Sequence, residues 1–278
     1  MKALLMLSET RESKSFNGRD TMSGKKKFII ITGTIISLSA LTVGGVLLHN
    51  HVQLENYKKE KLNLPENFTY TAHTGCVGTA DNSLESIEAA VRNGADVVEF
   101  DLNFTSDGKP VLAHDAPKGD EVTLDEAFEK VSGYEGLQIN VDIKSTQALD
   151  KVKPLAVKYG VADRIFYTGV AEEFLEAVKA DCDGVPYYLN VDVKDNTDEE
   201  YIFSLVEKVK NSGAVGINFK KNNASKKLVD AFHENGLLVS VWTADSTRDI
   251  YRLLVMSPDN ITTRRPDTMA EILQQRNV

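Results

Sequence analysis

The chain has 278 residues, 42% of them hydrophobic and 26% charged, with a net charge of −9. This is a globular composition with enough apolar mass for one full core, and it excludes a collagen-like, disulfide-dense or globally disordered chain. Residues 1–66 hold 10 basic and 6 acidic side chains while the remainder is strongly acidic, which argues against a nucleic-acid partner because such a partner calls for a basic face.

Residues 1–27 are polar and unpatterned and end in Lys25, Lys26 and Lys27. Residues 28–48 (FIIITGTIISLSALTVGGVLL) carry no charge, and at about 1.5 Å per residue they reach across roughly 30 Å of hydrocarbon. The three lysines precede this run and the next lysine is Lys58, so the charge rule places the N-terminus in the cytoplasm. The expectation is a single-pass signal anchor in the cell membrane, with everything after it extracytoplasmic. A cleaved signal peptide is the rival, but its apolar region is about 7–15 residues long and ends in a small-residue site; here Ser37-Leu38-Ser39 is a weak match. Residues 49–67 read as a polar linker, and 68–278 as one domain.

Within that domain short β-rich runs alternate with amphipathic ones. The predicted strands are 68–73, 97–103, 138–144, 164–169, 184–190, 214–219, 237–243 and 260–264. The predicted helical stretches lie at 83–94, around 124–131, and at 146–160, 171–181, 198–213, 225–236 and 246–256, several of them closing on Gly or Asn-Gly. Strands alternating with helices imply a parallel sheet, and eight of them imply a (β/α)8 TIM barrel, here preceded by one transmembrane helix. No G-x-G-x-x-G follows the first strand, which weakens a dinucleotide-binding alternative. After strand two, TSDGKPVLAHD turns at Asp-Gly and returns as an extended hairpin arm.

Period-2 alternation in VVEFDLN puts Glu99, Asp101 and Asn103 on one face and Val98, Phe100 and Leu102 on the other. In NVDIK, Asn140, Asp142 and Lys144 likewise share a face. Carboxylates turned into a barrel mouth cost several kcal/mol unless a cation compensates them. Glu99, Asp101 and Asp142 therefore form a candidate hard-cation site suited to Ca²⁺ or Mg²⁺. His73, at the end of strand one, and His114, at the end of the hairpin, suit general acid–base work on a phosphate ester beside such an ion. Lys144 adds a positive charge for a phosphoryl oxygen, and Trp242 stands near the end of strand seven. Taken singly each has a plain reading as a surface polar group, a solvated ion pair or a core aromatic; their convergence on one end of the strands is the signal. Cys76 and Cys182, the two cysteines, fall at opposite ends of the barrel, which argues against a bond between them and excludes a disulfide scaffold.

The run TAHTGCVGTADNSLESIEAAVRNGADVVEFDLNFTSDGKPVLAHD resembles the opening of the glycerophosphodiester phosphodiesterase family, and the resemblance continues at VDIK, VSVWT and ITTRRPD, over about residues 68–267. It implies a (β/α)8 barrel that hydrolyses glycerophosphodiesters to glycerol 3-phosphate and an alcohol with a divalent cation. By that resemblance His73 and His114 match the acid–base pair, Glu99, Asp101 and Asp142 the metal ligands, and Lys144 a phosphate-contacting lysine. Thr74 stands where the family has an arginine, Asp81 and Asp142 stand where it has glutamates, and Arg264 where it often has Asp or Asn. Arg264 or Arg265 is thus a candidate to supply the cation absent at Thr74, and Asp81, Trp242 and Arg264 are candidate substrate-binding residues. Two other functions fit the sequence: a phospholipase D-type enzyme acting on lipid or on an envelope glycerophosphate polymer, and a catalytically weakened, membrane-tethered binding protein.

Overall fold

The structure, a computed structural model, describes residues 44–182 and 184–277. Eight parallel strands close on themselves: β1 (Thr69–Ala72), β2 (Val97–Phe104), β4 (Gln138–Ile143), β5 (Ile165–Val170), β6 (Tyr187–Asn190), β7 (Gly216–Lys220), β8 (Leu238–Trp242) and β9 (Asn260–Thr263), with β1 bonded to both β2 and β9. This is the expected (β/α)8 barrel. The hairpin arm is β3 (Pro110–Leu112), which runs antiparallel to the upper half of β2, pairing Leu102 with Leu112 and Phe104 with Pro110.

Helices follow each barrel strand: α1 (Leu84–Arg92), α2 (Leu124–Ser132), α3 (Val152–Lys158), α4 (Leu175–Asp181), α5 (Glu199–Ser212), α6 (Lys226–Glu234), α7 (Thr247–Met256) and α8 (Pro266–Arg276). Their starts are written in the sequence. Ser83, Asp198, Ser225 and Ser246 each accept a bond from a backbone N–H of the first turn, and Thr123 and Glu126 form a reciprocal capping box. The α3 helix is shorter than its amphipathic run because Pro154 has no N–H and is tolerated only in a first turn. The α8 helix was not anticipated; it opens on Pro266 and buries Met269 and Ile272.

Alternation divides the strand residues into two environments. Phe100, Leu102, Val141, Ile143, Phe219 and Val241 face outward and are buried beneath the helices, with the Phe100 and Phe128 rings 6.2 Å apart. The inward faces are buried but polar. Thr69 and Thr71 donate to Asn260 Oδ1 at 3.1 and 2.8 Å, and Asn260 Nδ2 donates to Ser240 Oγ at 3.0 Å. These lumen side chains are thus hydrogen-bonded to one another, as most buried polar groups are.

The chain divides between His51 and Val52, with Val52–Val278 forming one compact unit. Within that unit the stretch read as linker packs: Leu62 is buried, Leu54, Tyr57 and Leu64 lie against the core, and the Arg276 guanidinium donates to the Lys58 and Glu60 carbonyls. Most of the expected span at 28–48 lies outside the described residues. Among the described residues no helix is long and apolar enough to cross a membrane.

Candidate active site

The mouth at the C-terminal ends of the strands encloses a cavity of about 320 Å³ lined by His73, Glu99, Asp101, His114, Asp142, Lys144, Trp242 and Arg264, together with Asn and Thr side chains. Strand register explains the acidic cluster. Glu99 and Asp101 point inward from β2, and β2–β4 pairing sets Asp101 directly beside Asp142. Glu99 and Asp101 are almost completely buried, and the three residues offer carboxylate oxygens within 4.8 Å of one another. Lys144 bridges two of them, its Nζ lying 3.0 Å from Asp101 Oδ1 and 2.6 Å from Asp142 Oδ2. Burial acts to lower the ammonium's pKa, but the Asp142 and Asp101 charges outweigh it, so Lys144 stays charged. One ammonium against three carboxylates leaves the cluster short of positive charge. The Glu99 carboxyl is accordingly pushed well above the usual range, first by burial and then by Asp101 and Asp142. A buried, oxygen-only, under-compensated donor set fits a hard divalent cation.

The loop after β1 holds this cluster in place. The Thr74 N–H donates to Glu99 Oε2 at 2.7 Å. Asn82 clamps Asp101 twice, its Nδ2 donating to Asp101 Oδ2 and its Oδ1 accepting from the Asp101 N–H, both at 2.9 Å. Asn82 has a φ of 56° and its own N–H donates to Thr74 Oγ1. The Thr74 hydroxyl is therefore committed to this loop, where it supplies no cation. On the far side Thr168 Oγ1 lies 3.1 Å from Asp142 Oδ1 and 2.8 Å from Asn140 Oδ1. The next residue, Gly169, has a φ of +71°, and a Cβ there would fall 2.3 Å from Asp142 Oδ1 and 2.4 Å from the Ile143 carbonyl.

The two histidines reach the cavity from different surroundings. His73 Nδ1 is 2.9 Å from the Thr74 carbonyl and 3.6 Å from Glu99 Oε2. Burial lowers its pKa and the Arg264 charge adds to that, against the opposing Thr74 carbonyl. The His114 side chain is 69% exposed, with Nδ1 3.0 Å from Asp115 Oδ1. Asn103 steadies that segment by donating to the Asp115 carbonyl at 3.0 Å.

Arg264 and Arg265 diverge. The Arg265 guanidinium holds Asp267 through two bonds, 3.0 and 2.8 Å, whereas Arg264 lines the cavity, is 40% exposed and lies 3.8 Å from Asp245 Oδ2. Asp81 does not line the cavity; its carboxylate covers Gly75, where a Cβ would meet Asp81 Oδ1 at 2.0 Å. Cys76 and Cys182 are both free and buried; Cys76 Sγ lies 3.5 Å from the Ser86 carbonyl, and burial raises its thiol pKa.

The sequence profile of the glycerophosphoryl diester phosphodiesterase family matches residues 66–134 and 122–268. The chain belongs to this family. Among its relatives in the glycerophosphoryl diester phosphodiesterase family is the glycerophosphodiester phosphodiesterase of Caldanaerobacter subterraneus subsp. tengcongensis, 22% identical over an alignment 245 residues long that covers 73% of this chain and 97% of that one. The glycerophosphodiester phosphodiesterase of Parabacteroides distasonis superposes with a TM-score of 0.61 at 18% identity, covering 76% of this chain and 99% of its own. An Oleispira antarctica phosphodiesterase in complex with the product sn-glycerol-3-phosphate gives a TM-score of 0.60 at 18% identity, covering 76% and 97%. Both share the barrel. Asn82, in this family member, is the residue whose clamping role was missed; the Asn-Ser pair before α1 was its trace in the sequence.

Proposed function

We propose that this family member is a metal-dependent phosphodiesterase that hydrolyses glycerophosphodiesters to glycerol 3-phosphate and an alcohol. The observation that carries the reading is the register-paired Asp101 and Asp142 beside buried Glu99, at a mouth that also presents His73, His114 and Arg264. Glu99, Asp101 and Asp142 would hold one divalent cation, Ca²⁺ or Mg²⁺. When bound, that ion supplies Lewis-acid polarisation of the phosphoryl group.

Lys144 and Arg264 attract and orient the phosphoryl oxygens. One histidine takes the proton from the attacking oxygen; the other protonates the departing alkoxide as its bond to phosphorus breaks. Lowering the pKa of His73 keeps its imidazole neutral and able to accept a proton. The uncharged run at 28–48, preceded by three lysines, supports a membrane tether with the barrel outside the cytoplasm.

The test is turnover of glycerophosphocholine, a lysophospholipid and bis(p-nitrophenyl) phosphate with Ca²⁺, Mg²⁺ or EDTA. Hydrolysis of glycerophosphocholine that EDTA abolishes and added cation restores is expected. Preference for the lysophospholipid would indicate a lipid phosphodiesterase instead, and cation binding without any turnover would reduce the chain to a binding protein.

A further inference from the structure

Alternation along β7 turns Lys220 to the same side as Asn218, which lines the cavity, with the outward Phe219 between them. Lys220 is the last residue of that strand and is exposed, so it stands on the rim above the cavity rather than in it. Pairing of β7 with β8 sets it beside Trp242. Its Nζ lies 5.8 Å from the centre of the Trp242 ring, within reach of a cation–π contact.

The neighbouring lysines are committed to carboxylates. Lys144 holds Asp101 and Asp142, Lys221 lies 2.9 Å from Asp249, and Lys194 is bonded to Asp192. Among the described residues Lys220 makes no ion pair. Asp192 feels two ammonium groups, Lys194 first and Lys220 more weakly, which hold its carboxyl below the usual range. Two cations against one carboxylate leave this side of the rim positive.

The closed sheet places that charge opposite the acidic cluster. From β2, which bears Glu99 and Asp101, β7 is reached through β4, β5 and β6 or through β1, β9 and β8. A diester whose phosphoryl group sits by the carboxylates extends one ester arm over Trp242 towards Lys220. The phosphoryl oxygens already have Lys144 and Arg264 in the cavity. Lys220 is left to meet whatever charge the arm carries, repelling a cation and attracting an anion.

We propose that Lys220, seated over the Trp242 ring, is a specificity-determining cation that favours phosphodiesters whose alcohol carries an anionic group, a carboxylate or a second phosphate. The proposal rests on the phosphodiester reading of the mouth and adds a preference for the charge of the departing alcohol.

Two matched pairs of substrates test it. Glycerophosphoserine differs from glycerophosphoethanolamine by a carboxylate, and glycerophosphoglycerol is compared with and without a terminal phosphate. The full chain is expected to show a kcat/KM about fivefold higher for the anionic member at low ionic strength, the scale of one partly exposed charge pair. The pair that shows the preference identifies the anion. Each preference is a ratio within one protein, so a change in the folded fraction cancels. Lys220→Gln is expected to bring the ratio close to one, Lys220→Arg to retain it, and molar salt to erase it.

A wild-type ratio near one in both pairs overturns the proposal. So does a ratio that Lys220→Gln or salt leaves unchanged, or that Lys220→Arg abolishes. Calorimetric dissociation constants for the same diesters, with divalent cation in excess, keep the two ideas separate. A Lys220-dependent binding preference without cleavage sinks the hydrolase reading alone, and cleavage with a Lys220-independent ratio sinks the rim cation alone.

Discussion

His73 and His114 are the same residue type in opposite settings, one enclosed beside Glu99 and one largely in solvent. Replacing either by alanine is expected to cut phosphodiester turnover by about 10²-fold or more while calorimetric binding of Ca²⁺ or Mg²⁺ persists; near wild-type rates would refute the assignment. Arg264→Ala is expected to lower kcat/KM by roughly tenfold, the scale of one charge-assisted hydrogen bond. Arg265→Ala should leave it within about twofold, since that guanidinium is committed to Asp267. Glu99, Asp101 and Asp142 were legible in the sequence because period-2 alternation alone turns them inward. The Asn82 clamp was not, because a loop residue with positive φ reaches β2 only through the tertiary fold. Asp81 shows the complementary failure: its neighbour Asn82 bonds Asp101, and it turns to Gly75.

At the scale of elements, α7 carries a testable ion cluster. Asp249 is 7% exposed, sits in the first turn and lies 2.9 Å from Lys221 and 3.3 Å from Arg248. Burial acts to raise its pKa, but Lys221, Ser246 and Arg248 outweigh burial and hold it below the usual carboxylate range. A depressed folded-state pKa means stability that is present above the unfolded-state pKa and lost as pH falls through the folded one. Urea denaturation is therefore expected to show Asp249→Asn less stable by about 1–3 kcal/mol at neutral pH, with the difference closing as acid protonates Asp249. All eight barrel strands were readable because each pairs an apolar outer face with turn residues at its ends. Helix starts were less so, as in α3, where Pro154 decides where regular bonding begins.

For the whole molecule, the unexpected element is the stretch ahead of β1. Its polar composition suggests a free spacer, yet Leu62, Leu54, Tyr57 and Leu64 find apolar partners that only the folded barrel provides. Removing residues 1–51 is expected to leave the thermal midpoint of the barrel unchanged. Removing 1–67 should lower it by about 5 °C or more, from the burial of Leu62 and its neighbours; equal midpoints for the two truncations would show that the contacts contribute nothing.

Gly169 carries a further consequence for how the sequence can vary. It has no side chain to donate, accept or carry charge, yet even one added methyl would act as a wedge against Asp142 and the Ile143 carbonyl. In a library of random variants screened for phosphodiester cleavage, this position would be filtered as severely as the histidines, though it does not line the cavity.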